Sequence, residues 1–271
     1  MLGARTLCAV EAAFFDLDKT VIATSSVMAL GGTFYREGLI SKRTIVRGLY
    51  AQVVYLMVGA DENKMDRMRE AMLTLTKGWD QAHVKEIVRD TLDHVLTPII
   101  YAEALDLIAE HQKAGRKTVI ISSSPSETVE PIGEYLGVDD VIATRARVDA
   151  QGRYTGDLEF YAYAAHKAEA IREMAVAEGL DLAGSYAYSD SITDLPMLEL
   201  VGNPVAVNPD RELARIARER EWEVRFFQRP VRLRDRVPVP PRGPTLAAGS
   251  VALAIGTGLA VYVWMRRRAA A

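Results

Sequence analysis

The chain has 271 residues, enough for one large or two modest domains with a sizeable core. Hydrophobic residues make up 49% and charged residues 25%, the balance of a globular protein, and the net charge of −3 offers no global basic field for nucleic acid. Cys8 is the only cysteine, so no internal disulfide can form and a reducing compartment fits. Its expected place is a small buried hydrophobe of the first strand. The opening "MLGARTLCAVEAAFFD" lacks the basic region, long apolar run and small-residue cleavage site of a signal peptide.

Taken in chain order, "VEAAFFD" (10–16) is the first strand-like run, apolar and closed by Asp16. From 25 to 97 no strand pattern follows, only helical periodicity over 25–37, 41–58, 61–76 and 80–96. "GLYAQVVYLMVGA" (48–60) is too short to cross a membrane and reads as a packed helix. The strand-like runs then resume with "KTVIIS" (117–122), "DVIAT" (140–144), "GSYAYS" (184–189) and "PVAVN" (204–208). Amphipathic helical stretches at 101–114, 125–136, 166–178 and 210–220 separate them. This alternation predicts an α/β domain with a doubly wound, mostly parallel, Rossmann-like sheet. "RARVDAQGRYTGDLEF" (145–160) alternates around "DAQG" and predicts a hairpin flap.

The expected organisation is a core of 1–24 and 98–228 with a helical cap of 25–97 inserted in it. The cap would lie over the carboxyl ends of the strands, where open α/β sheets bind ligands. "QRPVRLRDRVPVPPRGP" (228–244) is rich in Pro and Arg and predicts a linker over 229–244. The 21 residues 245–265, "TLAAGSVALAIGTGLAVYVWM", carry no charge, end in Tyr262 and Trp264, and precede Arg266, Arg267 and Arg268. They predict a C-terminal transmembrane helix, the alternative being a buried core helix. Five arginines in 228–244 against three beyond the span predict a cell-membrane protein with its globular part in the cytoplasm.

Four places carry residues suited to chemistry. "FFDLDKT" ends the first strand with Asp16 and Asp18, a turn on the plainest reading and a cation or phosphoryl site on the sharper one. "VIISSSP" ends a strand in Ser122, Ser123 and Ser124, which would cap a helix or hold phosphate oxygens. Lys167 in "AHKAEAI" stands at a helix start, where a cation opposes the helix dipole unless an anion lies nearby. "YAYSDSITDLPML" places Asp190 and Asp194 around a strand-to-helix turn, as turn and cap residues or as ligands of a hard cation. Each has an ordinary structural explanation singly. Together they would bring carboxylates, a hydroxyl cluster and an ammonium to one rim of one sheet.

The ordered set "DLDKT", Ser122, Lys167 and "SDSITDLPML" resembles the four motifs of the haloacid dehalogenase superfamily. The insert and the wording "HKAEAIREMA" and "VGNPVAVNPD" are similar to the subfamily IB, phosphoserine-phosphatase-like hydrolases, over residues 10 to 227. The resemblance implies a Mg²⁺-dependent phosphatase acting on a phosphate monoester. By it Asp16 is the nucleophile and forms an aspartyl phosphate, and Asp18 is the general acid and base. Ser122 and Lys167 hold the phosphate, Asp16, Asp18 (through its carbonyl) and Asp190 hold Mg²⁺, and Asp194 supports them. A phosphorylated small molecule or a lipid-derived ester is the expected substrate, the membrane a partner and nucleic acid not one. The alternatives are a phosphoserine phosphatase, a phosphotransferase on the same fold, or a catalytically idle, membrane-tethered binding module. In phosphoserine phosphatases of this branch an acidic side chain nine residues after the nucleophile pairs with the serine ammonium. Here that position is Ser25.

Overall fold

The computed structural model describes residues 10–41 and 62–228. Its centre is β1 (Ala12–Asp16), buried along its whole length. Alternate side chains go to opposite faces of a strand, so Ala13 and Phe15 enter one core cluster while Ala12 and Phe14 enter another. Burial on both faces is why this segment is an unbroken apolar run.

β1 pairs in parallel with β2 (Lys117–Pro125) on one side and with β5 (Tyr186–Ser189) on the other. The sheet has seven strands in the order β4-β3-β2-β1-β5-β6-β7. β3 spans Asp140–Val148, β4 Tyr154–Phe160, β6 Asn203–Val207 and β7 Glu223–Arg225. Only β3 and β4 pair antiparallel, and they form the hairpin expected over 145–160. Gly152 closes its turn by donating to the Asp149 carbonyl (3.0 Å), with φ of 75° that a side chain would resist. The expected α/β sheet is therefore present, and the chain reverses its winding at β1, with β2 and β5 as neighbours.

Between β1 and β2 the described residues hold no named strand. They form α1 (Ser26–Arg36), α2 (Glu62–Thr76) and α3 (Gln81–Thr91). The helix expected over 80–96 is shorter. It starts at Asp80, whose carboxylate accepts from the His83 backbone N–H (3.0 Å), and its α-helical part stops at Thr91. A π turn (Leu92–Leu96) and a 3-10 turn (Thr97–Ile99) follow. Thr91 and Thr97 hydroxyls donate to the Ile87 and Leu92 carbonyls, and Pro98 supplies no N–H, so the regular ladder ends there.

α4 (Ala102–Lys113) leads into β2, and α5 (Ser126–Leu136) leaves it. α3 meets α5 through three polar pairs: Gln81 with Glu127, Lys85 with Glu130 and Arg89 with Glu134. The loop before α3 also pairs with the hairpin, Gly78 N–H donating to Tyr154 and Tyr154 N–H to Trp79. α6 (Ala165–Glu178), α7 (Leu195–Leu198) and α8 (Arg211–Glu219) complete the described elements. Cys8, most of the helix expected over 41–58, the 229–244 linker and the 245–265 span lie outside the described residues. Among the described residues no helix is long and apolar enough to cross a membrane.

Candidate active site

Register brings the four sequence spots together. Asp16 stands opposite Ile121, so Ser122 lies one step further along the same rim. Phe15 stands opposite Tyr188 on the other side, which carries the end of β5 and Asp190 to that rim too. The sheet order β2-β1-β5 thus aligns Ser122, Asp16 and Asp190 at the carboxyl ends of three adjacent strands.

Lys167 closes the set from the first turn of α6. Its ammonium donates to Asp16 Oδ1 (2.7 Å) and Asp194 Oδ2 (2.8 Å), and all three side chains are buried. These anions are what offsets the unfavourable helix dipole at this position. Asp194 does not cap α7 with its side chain. Its Oδ2 instead accepts from Lys167 and from the Ser189 hydroxyl (2.8 Å). Turn and cap duties fall to other residues: Ser191 caps the short 3-10 turn at Ile192–Asp194. Asp210 accepts from the Ile192 and Leu213 backbone N–H groups (both 2.8 Å), and its own N–H donates to the Asp190 carbonyl (2.7 Å). Asp210 therefore fixes the Asp190–Asp194 loop, a role that its sequence context did not announce.

Asp18 sits just outside the buried trio, partly exposed. Its Oδ1 accepts from the Ser26 backbone N–H (2.7 Å) and its Oδ2 from the Ser124 hydroxyl (2.8 Å). The Ser26 and Ser124 hydroxyls are 3.0 Å apart. Ser122 is buried, and its Oγ accepts from the Ser124 backbone N–H (3.1 Å). Lys19, between the motif residues, adopts a left-handed φ of 65° that turns the chain out of β1.

The electrostatics show a shortage of positive charge. Burial, helped by Asp194 and Asp190, pushes the Asp16 carboxyl well above the usual range against the pull of Lys167. Burial pushes Asp190 up to about 7, with Lys19 and Lys167 pulling down and Asp194 pushing up. For Lys167 burial works downward, but the Asp16 and Asp194 carboxylates outweigh it and hold the ammonium charged. One buried ammonium thus faces three buried carboxylates, a set that fits an added divalent cation with oxygen ligands. Among the described residues no three His, Cys, Asp or Glu side chains converge as a closed metal cage. A cation here would need backbone or solvent oxygens beside the Asp16 and Asp190 carboxylates. A hollow of about 440 Å³ lined by Leu198, Pro204, Arg220 and Trp222 includes none of these residues.

A family model described as haloacid dehalogenase-like hydrolase matches residues 13–199. A Streptomyces azureus protein named "Inhibition of morphological differentiation protein" is 54% identical over 95% of this chain and 94% of its own. A Mycobacterium tuberculosis protein named "Probable phosphatase" is 48% identical over 94% of this chain and 89% of its own. A second one from that organism, named phosphoserine phosphatase, is 34% identical over 91% of this chain and 80% of its own. Among solved structures, a Bordetella pertussis protein of unknown function superimposes with a TM-score of 0.71 at 28% identity, covering 80% of this chain and 98% of that one. With a family model over most of the described residues and relatives named as phosphatases, the chain belongs to the haloacid dehalogenase-like hydrolase family.

Proposed function

We propose that the protein is a Mg²⁺-dependent phosphatase that hydrolyses a phosphate monoester through an aspartyl phosphate on Asp16. The observation that carries this reading is the buried Lys167 ammonium bridging Asp16 and Asp194 at the rim shared with Ser122 and Asp190. In-line phosphoryl transfer needs a positioned nucleophile and clustered positive charge around the equatorial oxygens; this rim holds the carboxylate and one ammonium, and a bound cation would add the rest of the charge. Asp16 attacks phosphorus, Ser122 and Lys167 hold the non-bridging oxygens, and Asp18 gives its proton to the leaving oxygen. Asp18 then takes a proton from the water that releases phosphate from Asp16. Asp16, Asp190 and the Asp18 carbonyl would hold Mg²⁺, with Asp194 in support. When bound, the cation supplies charge neutralisation of the phosphoryl oxygens.

In the same reading residues 25–97 act as the cap over this rim. Free phosphoserine is a poor substrate, because Ser25, the residue that precedes α1, offers no carboxylate for an ammonium. The 245–265 segment anchors the chain to the cell membrane with the catalytic part in the cytoplasm. A phosphate ester on a lipid or lipid precursor suits that location. The relative named phosphoserine phosphatase supports the alternative substrate. A comparison of kcat/KM for phosphoserine, glycerol phosphate and a lysophosphatidate separates the two, and a clear preference for phosphoserine overturns the substrate reading. Undiminished turnover by Asp16→Asn overturns the mechanism.

A further inference from the structure

Among Asp16, Asp18, Asp190 and Asp194, Asp18 is the one whose two oxygens are both held from outside the carboxylate–ammonium cluster. The Ser26 backbone N–H takes Oδ1 and the Ser124 hydroxyl takes Oδ2. While Asp18 is an ionised carboxylate the Ser124 hydroxyl donates to it, so in the 3.0 Å contact between the two hydroxyls Ser26 is then the donor and Ser124 the acceptor. The hydroxyls of Ser26 and Ser124 are both buried, so the chain Ser26–Ser124–Asp18 runs inside the protein. Ser124 is further anchored by its backbone N–H on Ser122 Oγ (3.1 Å). Neither serine belongs to the four-motif set.

The two serines come from different parts of the fold. Ser124 stands near the end of β2, two residues beyond the phosphate-holding Ser122. Ser26 is the first residue of α1, the first helix of the segment inserted between β1 and β2. We propose that Ser124 and Ser26 form a clamp that aims the Asp18 carboxyl at the leaving oxygen, with Ser124 as the main positioning residue. This rests on the phosphatase reading above. The clamp ties proton delivery to the seating of α1: if the start of α1 moves, Asp18 loses one hydrogen bond directly and a second is weakened through Ser124.

An Asp16 oxygen forms a bond to phosphorus while the bond from phosphorus to the ester oxygen breaks. The ester oxygen keeps that electron pair and takes the Asp18 proton. In the return step a water oxygen bonds to phosphorus, one water proton goes to Asp18, and the Asp16–phosphorus bond breaks with its electrons returning to the carboxylate. A misaimed Asp18 harms the first step most when the leaving oxygen is strongly basic. It matters least when the leaving group departs as a stable anion.

The test uses the full chain with Mg²⁺ and a series of aryl phosphates from 4-nitrophenyl to unsubstituted phenyl. kcat/KM is plotted against the pKa of the leaving phenol, because it reports the step in which the ester bond breaks. Ser124→Ala should steepen the dependence, with about a tenfold or greater loss on phenyl phosphate and a much smaller loss on the 4-nitrophenyl ester. Ser124→Thr keeps a hydroxyl and should restore the wild-type slope. Ser26→Pro removes the N–H to Asp18 at a helix position that accepts proline, after a Ser25 already at φ −67° and ψ 130°. It should steepen the slope as well.

Equal losses across the series, or none, in Ser124→Ala would overturn the clamp. Asp16→Asn run in parallel keeps the two ideas apart. If it is inactive while Ser124→Ala keeps the wild-type slope, only the clamp fails. If Asp16→Asn turns over normally, or the wild type hydrolyses none of the series, the phosphatase reading fails and the clamp with it.

Discussion

Replacing Lys167 by Met tests the electrostatic core of the site without any substrate. Lys167 is 3% exposed, and its ammonium lies 2.7 Å from Asp16 and 2.8 Å from Asp194. Methionine fills similar volume and removes the charge, so three buried carboxylates lose their one buried cation. Breaking a buried ion pair by deleting one partner costs about 3–5 kcal/mol, because the remaining charge is neither solvated nor paired. For a chain of this size that corresponds to a fall in Tm of about 10 °C. The assay is thermal unfolding followed by circular dichroism at pH 8 with divalent cations chelated. Adding Asp194→Asn to Lys167→Met removes one of the stranded charges and should recover part of the loss. A change below about 1 kcal/mol, the scale of an exposed pair, would refute the picture of a desolvated ammonium holding the carboxylates together.

His111 packs against Phe15, Tyr186 and Tyr188, shares a 2.7 Å hydrogen bond with the Tyr188 hydroxyl, and is pushed down to about 4, first by burial and then by Arg116. Its folded pKa lies below the unfolded value of 6.5, so its contribution is complete above about pH 6.5 and lost as pH falls towards 4. The loss amounts to about 3 kcal/mol, and denaturant titrations of wild type and His111→Gln should show the variant flatter across that window. Asp190→Asn should weaken Mg²⁺ binding measured by calorimetry while leaving the far-ultraviolet dichroism unchanged, and unaltered affinity would remove Asp190 from the cation site. A chain truncated after Gly243 should stay in the supernatant on ultracentrifugation and keep its phosphatase activity, whereas a pellet with membranes would contradict anchoring by 245–265.

The strands around the site were legible because each is buried on both faces and therefore continuously apolar. β1 shows this best, since Phe14 and Phe15 serve opposite faces and only Asp16 breaks the run. β7 was not legible: Glu223–Arg225 has three residues, two of them charged, and sits at the sheet edge. The helix end at Thr91 was hidden too, because hydrophobic periodicity continues through Leu92, Val95 and Leu96 while the backbone widens into a π turn. Asp16, Asp190 and Lys167 were readable from their places at strand ends and a helix start. The partners of Asp18 were not, since the Ser124 contact spans 106 residues of chain and the Ser26 contact is made by a backbone N–H. Asp210 caps α8, and its second oxygen also pins the Asp190–Asp194 loop through a backbone N–H 18 residues away, a contact that no side-chain pattern reveals.

The central claim is that phosphorus passes through a covalent bond to Asp16. The most direct measurement is acid quenching of the enzyme during turnover of a phosphate ester, then peptide mapping by mass spectrometry. The peptide containing Asp16 should carry the added mass of one phosphoryl group, absent from Asp16→Asn and lost on incubation at neutral pH. A phosphoryl group found on another residue, or turnover by Asp16→Asn at the wild-type rate, would contradict it.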